Sequence, residues 1–316
     1  MTNLKKIGLT ALAGTLAATT FAQAVEVSVN GTARMEYETR STDATGAATT
    51  NVDLFTQTQS VTFSASGELD NGYNISYSNI FTGGTFTSTY VTMDMGDMGT
   101  LSMNRHAHLT GISSIQDKVP NAGEQVWDDT GAAAHGQPAD GIADISGADH
   151  TLGYKVSMSG ITASASTAHA ANGSESSIAI VADGLVDGLA VGYGAGNNES
   201  ARNVSDDIDT MFATYTAGPV SVGIQNTEVD SDTANSDIER DAFGVSFAVN
   251  ENFSISYGQS DTEYDAQASD EENAGVSASY TAGGMTLGVV NNQKDNANGV
   301  AGTDHEVLEF RLTFAF

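Results

Sequence analysis

Apolar residues alternate with polar or small ones, over and over, through almost the whole chain. Val25, Val27 and Val29 alternate with Glu26, Ser28 and Asn30. Tyr73, Ile75 and Tyr77 repeat the pattern, as do Leu152, Tyr154, Val156 and Met158, and Phe243, Val245, Phe247 and Val249. Successive residues of a strand point to opposite faces, so each segment has one apolar and one polar side. No helical stripe interrupts the series, and cysteine is absent. A chain built only of such strands must satisfy its backbone by pairing, and a sheet closed on itself leaves no edge open.

The connections alternate short and long. Asp70–Gly72, Gly96–Gly99, Ser159–Gly160, Asp183–Gly188, Ala217–Pro219, Asn250–Asn252 and Ala282–Gly284 have hairpin-turn compositions. Arg40–Asn51, Gly196–Ser205, Glu228–Asp237, Ser260–Glu271 and Asn291–Thr303 are long, polar and acidic, with Phe81–Thr85 and Ala168–Glu175 as briefer members. Short turns at one end and long loops at the other is the pattern of an outer-membrane barrel. Counting between connections predicts an all-β, 16-stranded antiparallel barrel; the parity slips near Phe86–Met95 and Ile178–Val181. From Arg105 to Ala148 no alternation survives, which predicts a long loop between the fifth and sixth strands, folded inward to narrow the pore.

The N-terminus reads as a secretory signal peptide over residues 1–24. Lys5 and Lys6 precede an apolar stretch, Ile7–Phe21, and an Ala22-Gln23-Ala24 cleavage site. A single barrel domain over 25–316 is expected to follow, with 105–148 as its constriction loop. The formal charge of the whole chain is −29, and removal of the two lysines leaves −31. That balance excludes nucleic acid as a partner, because phosphate binding needs a basic face.

The last strand is the sharpest signal. Leu308, Phe310, Leu312, Phe314 and Phe316 form one face, and Glu309, Arg311, Thr313 and Ala315 the other. With this strand, the start Glu26-Val27-Ser28-Val29-Asn30-Gly31-Thr32-Ala33-Arg34 and the long third outer loop, the chain resembles the Gram-negative general porin family, most closely its alphaproteobacterial branch. The resemblance implies a homotrimer in the outer membrane, in contact with lipid and lipopolysaccharide, that passes small hydrophilic solutes and ions by diffusion. It also implies that the strand ending at Phe316 is the signal read by the barrel-assembly machinery.

Parity then assigns the lumen. Arg34, Glu36, Glu38 and Arg40 share the inward face of the first strand, and Glu309 and Arg311 that of the last. A basic group facing lipid near the midplane costs roughly 2–4 kcal/mol, so Lys155 and Arg240 are placed inward as well. In the resembled family, acidic loop residues face wall arginines across the eyelet. Arg34 and Arg311 are the first candidates for that wall, with Arg105 and Lys155 behind, and Asp117, Glu124, Asp128, Asp129, Asp140 and Asp144 are the loop acids. The second strand contributes no base, a departure from the family. The acidic excess predicts a cation-preferring channel.

No nucleophile elbow, phosphate loop or zinc spacing occurs, so neither catalysis nor a cofactor is expected. His106 and His108 share a side if extended and could hold a metal; paired carboxylates such as Asp206-Asp207 and Asp270-Glu271-Glu272 could bridge Ca²⁺. A substrate-specific channel is the alternative, which would want a richer arginine or aromatic ladder; a barrel enzyme would need a rim nucleophile.

Overall fold

The computed structural model describes residues 26–44, 49–105, 109–128, 150–170, 173–200 and 205–316. Its strands are β1 (Glu26–Ala44), β2 (Thr50–Glu68), β3 (Asn74–Thr82), β4 (Thr85–Asp94), β5 (Thr100–Arg105), β6 (Thr151–Met158), β7 (Ile161–Ala170) and β8 (Gly173–Val186). They continue as β9 (Leu189–Ser200), β10 (Ser205–Ala217), β11 (Val220–Ser231), β12 (Ile238–Asn250), β13 (Phe253–Tyr264), β14 (Glu271–Ala282), β15 (Met285–Asp295) and β16 (Thr303–Ala315). Each pairs antiparallel with its sequence neighbours, and β16 pairs with β1 to close a 16-stranded barrel. The predicted architecture is therefore observed. The signal segment lies outside the described residues.

The seam is closed at its end by two backbone bonds. Gly31 N–H donates to the Phe316 carbonyl at 2.7 Å, and Phe316 N–H donates to Gly31 at 2.9 Å. A Cβ on Gly31 would come within 2.5 Å of the Phe316 ring, so the glycine makes room for the terminal aromatic. In the β6–β7 turn, Ser159 and Gly160 both adopt positive φ (52° and 78°), the conformation that matches strand twist across a two-residue hairpin.

The wall has an apolar outside and a polar inside. Ile224, Phe243, Val276 and Phe310 are among the outward side chains left exposed on the isolated barrel. In a bilayer they meet lipid. The parity slip at Phe86 has a backbone cause, a register shift at Ile80/Phe81 opposite it. Ile178–Val181, in contrast, pairs in regular register with Gly192–Ala195 and loses its alternation because inward Ala179 and Val181 are apolar and pack with Ile115.

The strands run further outward than alternation suggested. The strands extend into the supposed long connections: β1 reaches Ala44, β13 reaches Tyr264 and β15 reaches Asp295. The supposed turn Asp183–Gly188 is strand as far as Val186. Above the apolar belt, outward positions turn acidic, and the apolar/polar contrast that reveals a strand vanishes. Asp241, Asp261, Glu272 and Asp295 face one another directly across four strands on the same outer face as Phe243 and Val276. Of the paired carboxylates, Asp206 and Asp207 lie on β10 and Glu271 and Glu272 on β14.

Candidate constriction and its charged wall

The connection from β5 to β6, called L3 here, enters the barrel. Its described part, residues 109–128, runs along the inner wall from β6 to β16. Gly111 N–H donates to Ser164 Oγ (3.1 Å), Ile112 N–H to Ser177 Oγ (3.0 Å), Lys118 N–H to Gln225 Oε1 (2.8 Å) and Ala122 N–H to Ser256 Oγ (2.9 Å). Gln225 Nε2 donates back to the Ile115 carbonyl (2.9 Å), and Asn292 Nδ2 to that of Gln125 (3.1 Å). An irregular segment inside a barrel must satisfy its backbone, and inward polar side chains of five strands do so.

The apolar side of L3 supplies what core the protein has. Ile112 packs with Ile208, Ile115 with Ala179 and Phe212, and Val119, Val126 and Trp127 with Ala242. The wall beneath is cut back to glycine. A Cβ on Gly194 would come within 3.0 Å of both Ile112 and Ile115; on Gly223 it would lie 2.6 Å from Pro120 Cδ, on Gly244 2.6 Å from the Pro120 carbonyl, and on Gly258 2.8 Å from Val126. On Gly153 it would overlap Thr110. This track of inward glycines on β6, β9, β11, β12 and β13 lets the loop lie flat. It was present in the sequence as glycine at inward parity but carried no signal until the loop's path was known.

Where L3 reaches β16 it meets the charged wall. Glu124 is ion-paired with Arg311. Arg311 also holds Glu309, through Nη2 at 2.8 Å, and its Nε lies 3.9 Å from Glu36 on β1. Arg34 Nη2 is 3.0 Å from Glu36, and Arg40 Nη2 donates to Glu38 at 3.0 Å. Thr56 of β2 donates to Glu36 at 3.0 Å. The register explains the grouping: Glu36 lies opposite Arg311, and Glu38 opposite Glu309. Arg34, Arg40 and Arg311 thus face Glu36, Glu38, Glu309 and Glu124, three cations against four anions in one cluster. Glu124 contacts the wall arginine directly and does not stand across an open gap from it.

Arg34 is the more open of the leading pair, with 36% of its side chain exposed against 13% for Arg311. Lys155 shares the inward face of Gly153 and is exposed four residues from the Ser159 turn, far from L3's contact with β16. Two placements need correction. Arg240 points inward but is buried: its guanidinium carbon lies 5.4 Å from the centre of the Trp127 ring and its Nε donates to Thr262 at 3.0 Å, so L3 covers it. Arg105 is on the outer face. It pairs with Thr89, in line with outward Met103 and Val91, and its guanidinium sits 5.4 Å from the Phe86 ring. Cation–π contact on the outer face, not the lumen, accommodates it.

Of the loop acids, Asp117 is half-buried beside Lys118, and Asp128 accepts from Gln125 N–H at 3.2 Å to close a turn. Asp129, Asp140 and Asp144 lie outside the described residues, as do His106 and His108. Two bases were not singled out by pattern. Lys118 sits on L3, where burial pushes its ammonium pKa down while Asp117 pulls it up. Lys294 on β15 is buried 3.1 Å from Glu271, which also accepts from Asn273 Nδ2 (3.0 Å) and from Asn298 N–H (2.9 Å). Among the described residues, no group of three or more His, Cys, Asp or Glu is placed to hold a metal.

A wide closed barrel with a polar interior and an inward loop narrowing it defines a membrane channel protein of the outer-membrane type. The family model for the Gram-negative porin matches residues 8–299, and the chain belongs to that family. No curated protein matches by sequence. Among solved structures, OmpT, an outer membrane protein of Vibrio cholerae, is similar with a TM-score of 0.68 at 13% identity, covering 92% of this chain and 98% of that one. An anion-selective porin from Comamonas acidovorans aligns with a TM-score of 0.67 at 16% identity, over 93% of this chain and all of that one. A Rh. blastica porin mutant aligns at 0.62 and 16% identity, over 92% of this chain and all of that one. At such identities the likeness is one of fold.

Proposed function

We propose that this porin is exported through a cleaved signal peptide and acts as a cation-preferring diffusion channel for small hydrophilic solutes and ions. The observation that carries the preference is the charge of the cluster where L3 meets β16 and β1. Its four carboxylates outnumber its three guanidinium groups, and each guanidinium is already engaged by a carboxylate. A neutralised arginine attracts anions weakly, while the surplus carboxylate favours cations. The Comamonas porin, anion-selective on a similar fold, is a reminder that selectivity lives in side chains and not in the barrel.

A homotrimer is proposed through the outer face of β1–β5. Gln57 and Gln59 pair with Met35 and Ala33, which pair in turn with Leu312 and Phe314 of the apolar belt. Amide side chains and the Arg105 guanidinium on that face suit a protein neighbour better than hydrocarbon, where unsatisfied polar groups cost several kcal/mol. OmpT is among the similar folds solved in a trimer form.

Planar-bilayer recording tests the reading. The purified protein is expected to insert in conducting steps and to give a reversal potential of cation sign across a KCl gradient. An anion-sign potential refutes the preference, and absence of conductance refutes the channel.

A further inference from the structure

A cavity of about 530 Å³ lies at the outer end of the barrel between the β11–β12, β13–β14 and β15–β16 connections. Ile238 and Tyr264, a cross-strand pair, stand on the same inward face as Arg240 and Thr262, so the cavity opens on the lumen side of the wall. Its apolar lining includes Ile238, Val300 and the Tyr264 ring; its charged groups are Asp237 and Asp265, and among the described residues no basic one lines it.

The three connections are fastened to one another, which makes this a built pocket rather than a gap between loose loops. Asp265 N–H donates to the Asp237 carbonyl (3.1 Å), while Asp237 Oδ1 receives Ser231 N–H (2.9 Å). Asn296, in the left-handed conformation, receives Gly302 N–H on Oδ1 (3.0 Å) and reaches the Asp270 carbonyl through Nδ2 (3.2 Å). Asn298 N–H is held at 2.9 Å by Glu271, the same buried carboxylate that receives the Tyr264 hydroxyl at 3.4 Å. Wall and loops therefore share one network. The volume suits a small molecule.

The geometry points to a vestibule subsite for a small amphipathic organic cation, whose apolar body packs on Ile238 and Val300 and whose ammonium pairs with Asp237 and Asp265. Charge selects the occupant: a carboxylate ligand would meet two like charges, and a neutral one would gain nothing from them. That the subsite loads solute into the pore rests on the diffusion reading above; the binding itself does not.

Benzylammonium, with neutral benzyl alcohol and anionic benzoate as comparators of similar size, is the probe. Binding is followed by ligand-observed NMR on the detergent-solubilised full chain, with empty micelles as the blank. Saturable benzylammonium binding above the blank is expected, and none for benzoate. Asp237→Asn with Asp265→Asn should weaken it about fivefold to tenfold, since exposed ion pairs are each worth less than 1 kcal/mol. Val300→Trp, which fills the cavity, should abolish it. The idea is overturned if benzyl alcohol binds as well as benzylammonium, if the signal equals the blank, or if both variants, shown folded by heat-resistant gel mobility, bind like the wild type. The three-ligand comparison needs no variant and decides even where one fails to fold. Conductance of the same preparation is recorded separately: its absence would defeat the channel reading and leave the site standing.

Discussion

The glycine track beneath L3 makes a quantitative prediction. In Gly244→Ala the added methyl would lie 2.6 Å from the Pro120 carbonyl and 3.2 Å from both Pro120 N and Val119 Cβ. These are mostly backbone atoms, which cannot rotate away. Ordinary contact begins near 3.4 Å, so the loop must lift by about 0.8 Å towards the lumen. Overpacking of this kind costs about 1–3 kcal/mol. The neighbouring bonds Lys118 N–H to Gln225 and Ala122 N–H to Ser256 stretch with it, each worth about 1 kcal/mol. Gly288→Ala is the matched control: it too faces inward, but its methyl would stand 3.7 Å from Arg311 Cβ, an ordinary contact. Both changes reduce chain entropy equally, by about 0.4–1 kcal/mol, so that gain cancels in the comparison. Gly244→Ala should lower the thermal unfolding midpoint and the single-channel conductance relative to Gly288→Ala. Equal conductance and equal stability of the two would refute the idea that these glycines set the height of the loop.

Arg311→Ala removes the cation that Glu124, Glu309 and Glu36 share; it should move the reversal potential further towards cation preference and destabilise the folded form by about 3–5 kcal/mol, measured by KCl-gradient recordings and by unfolding. Gly31→Val places a branched side chain where the Phe316 ring rests, so the yield of heat-resistant folded barrel on gels should fall sharply, and Phe316→Ala in the same background should restore part of it. Asp261→Asn relieves direct opposition to Asp241 and Glu272 and should stabilise the barrel by about 0.5–1 kcal/mol at low ionic strength, with the gain shrinking in 1 M salt; unfolding at two salt concentrations checks it.

The strand count, the closure at Phe316 and the inward face of β1 and β16 were legible because each rests on local alternation. Arg34, Glu36, Glu38, Glu309 and Arg311 share the lumen by parity, and closure alone brings the two strands together. Lys294 was missed, and Glu271 was read only as a carboxylate that could bridge Ca²⁺, because their segments are polar on both faces above the belt, so inside and outside look alike in sequence. Arg105 was misplaced because β5 ends on it, where the rule that bases avoid the outer face gives way to aromatic stacking on Phe86.

The sequence by itself therefore determined a closed sheet, its direction of closure and the sign of its charge, since period-2 patterning and composition are properties of the chain. Only the tertiary structure decided where L3 lies, that Glu124 grips Arg311, and that Trp127 covers Arg240. Those contacts join residues more than a hundred positions apart on an irregular segment, whose path is set by fit against a glycine-lined wall and by no repeat of its own.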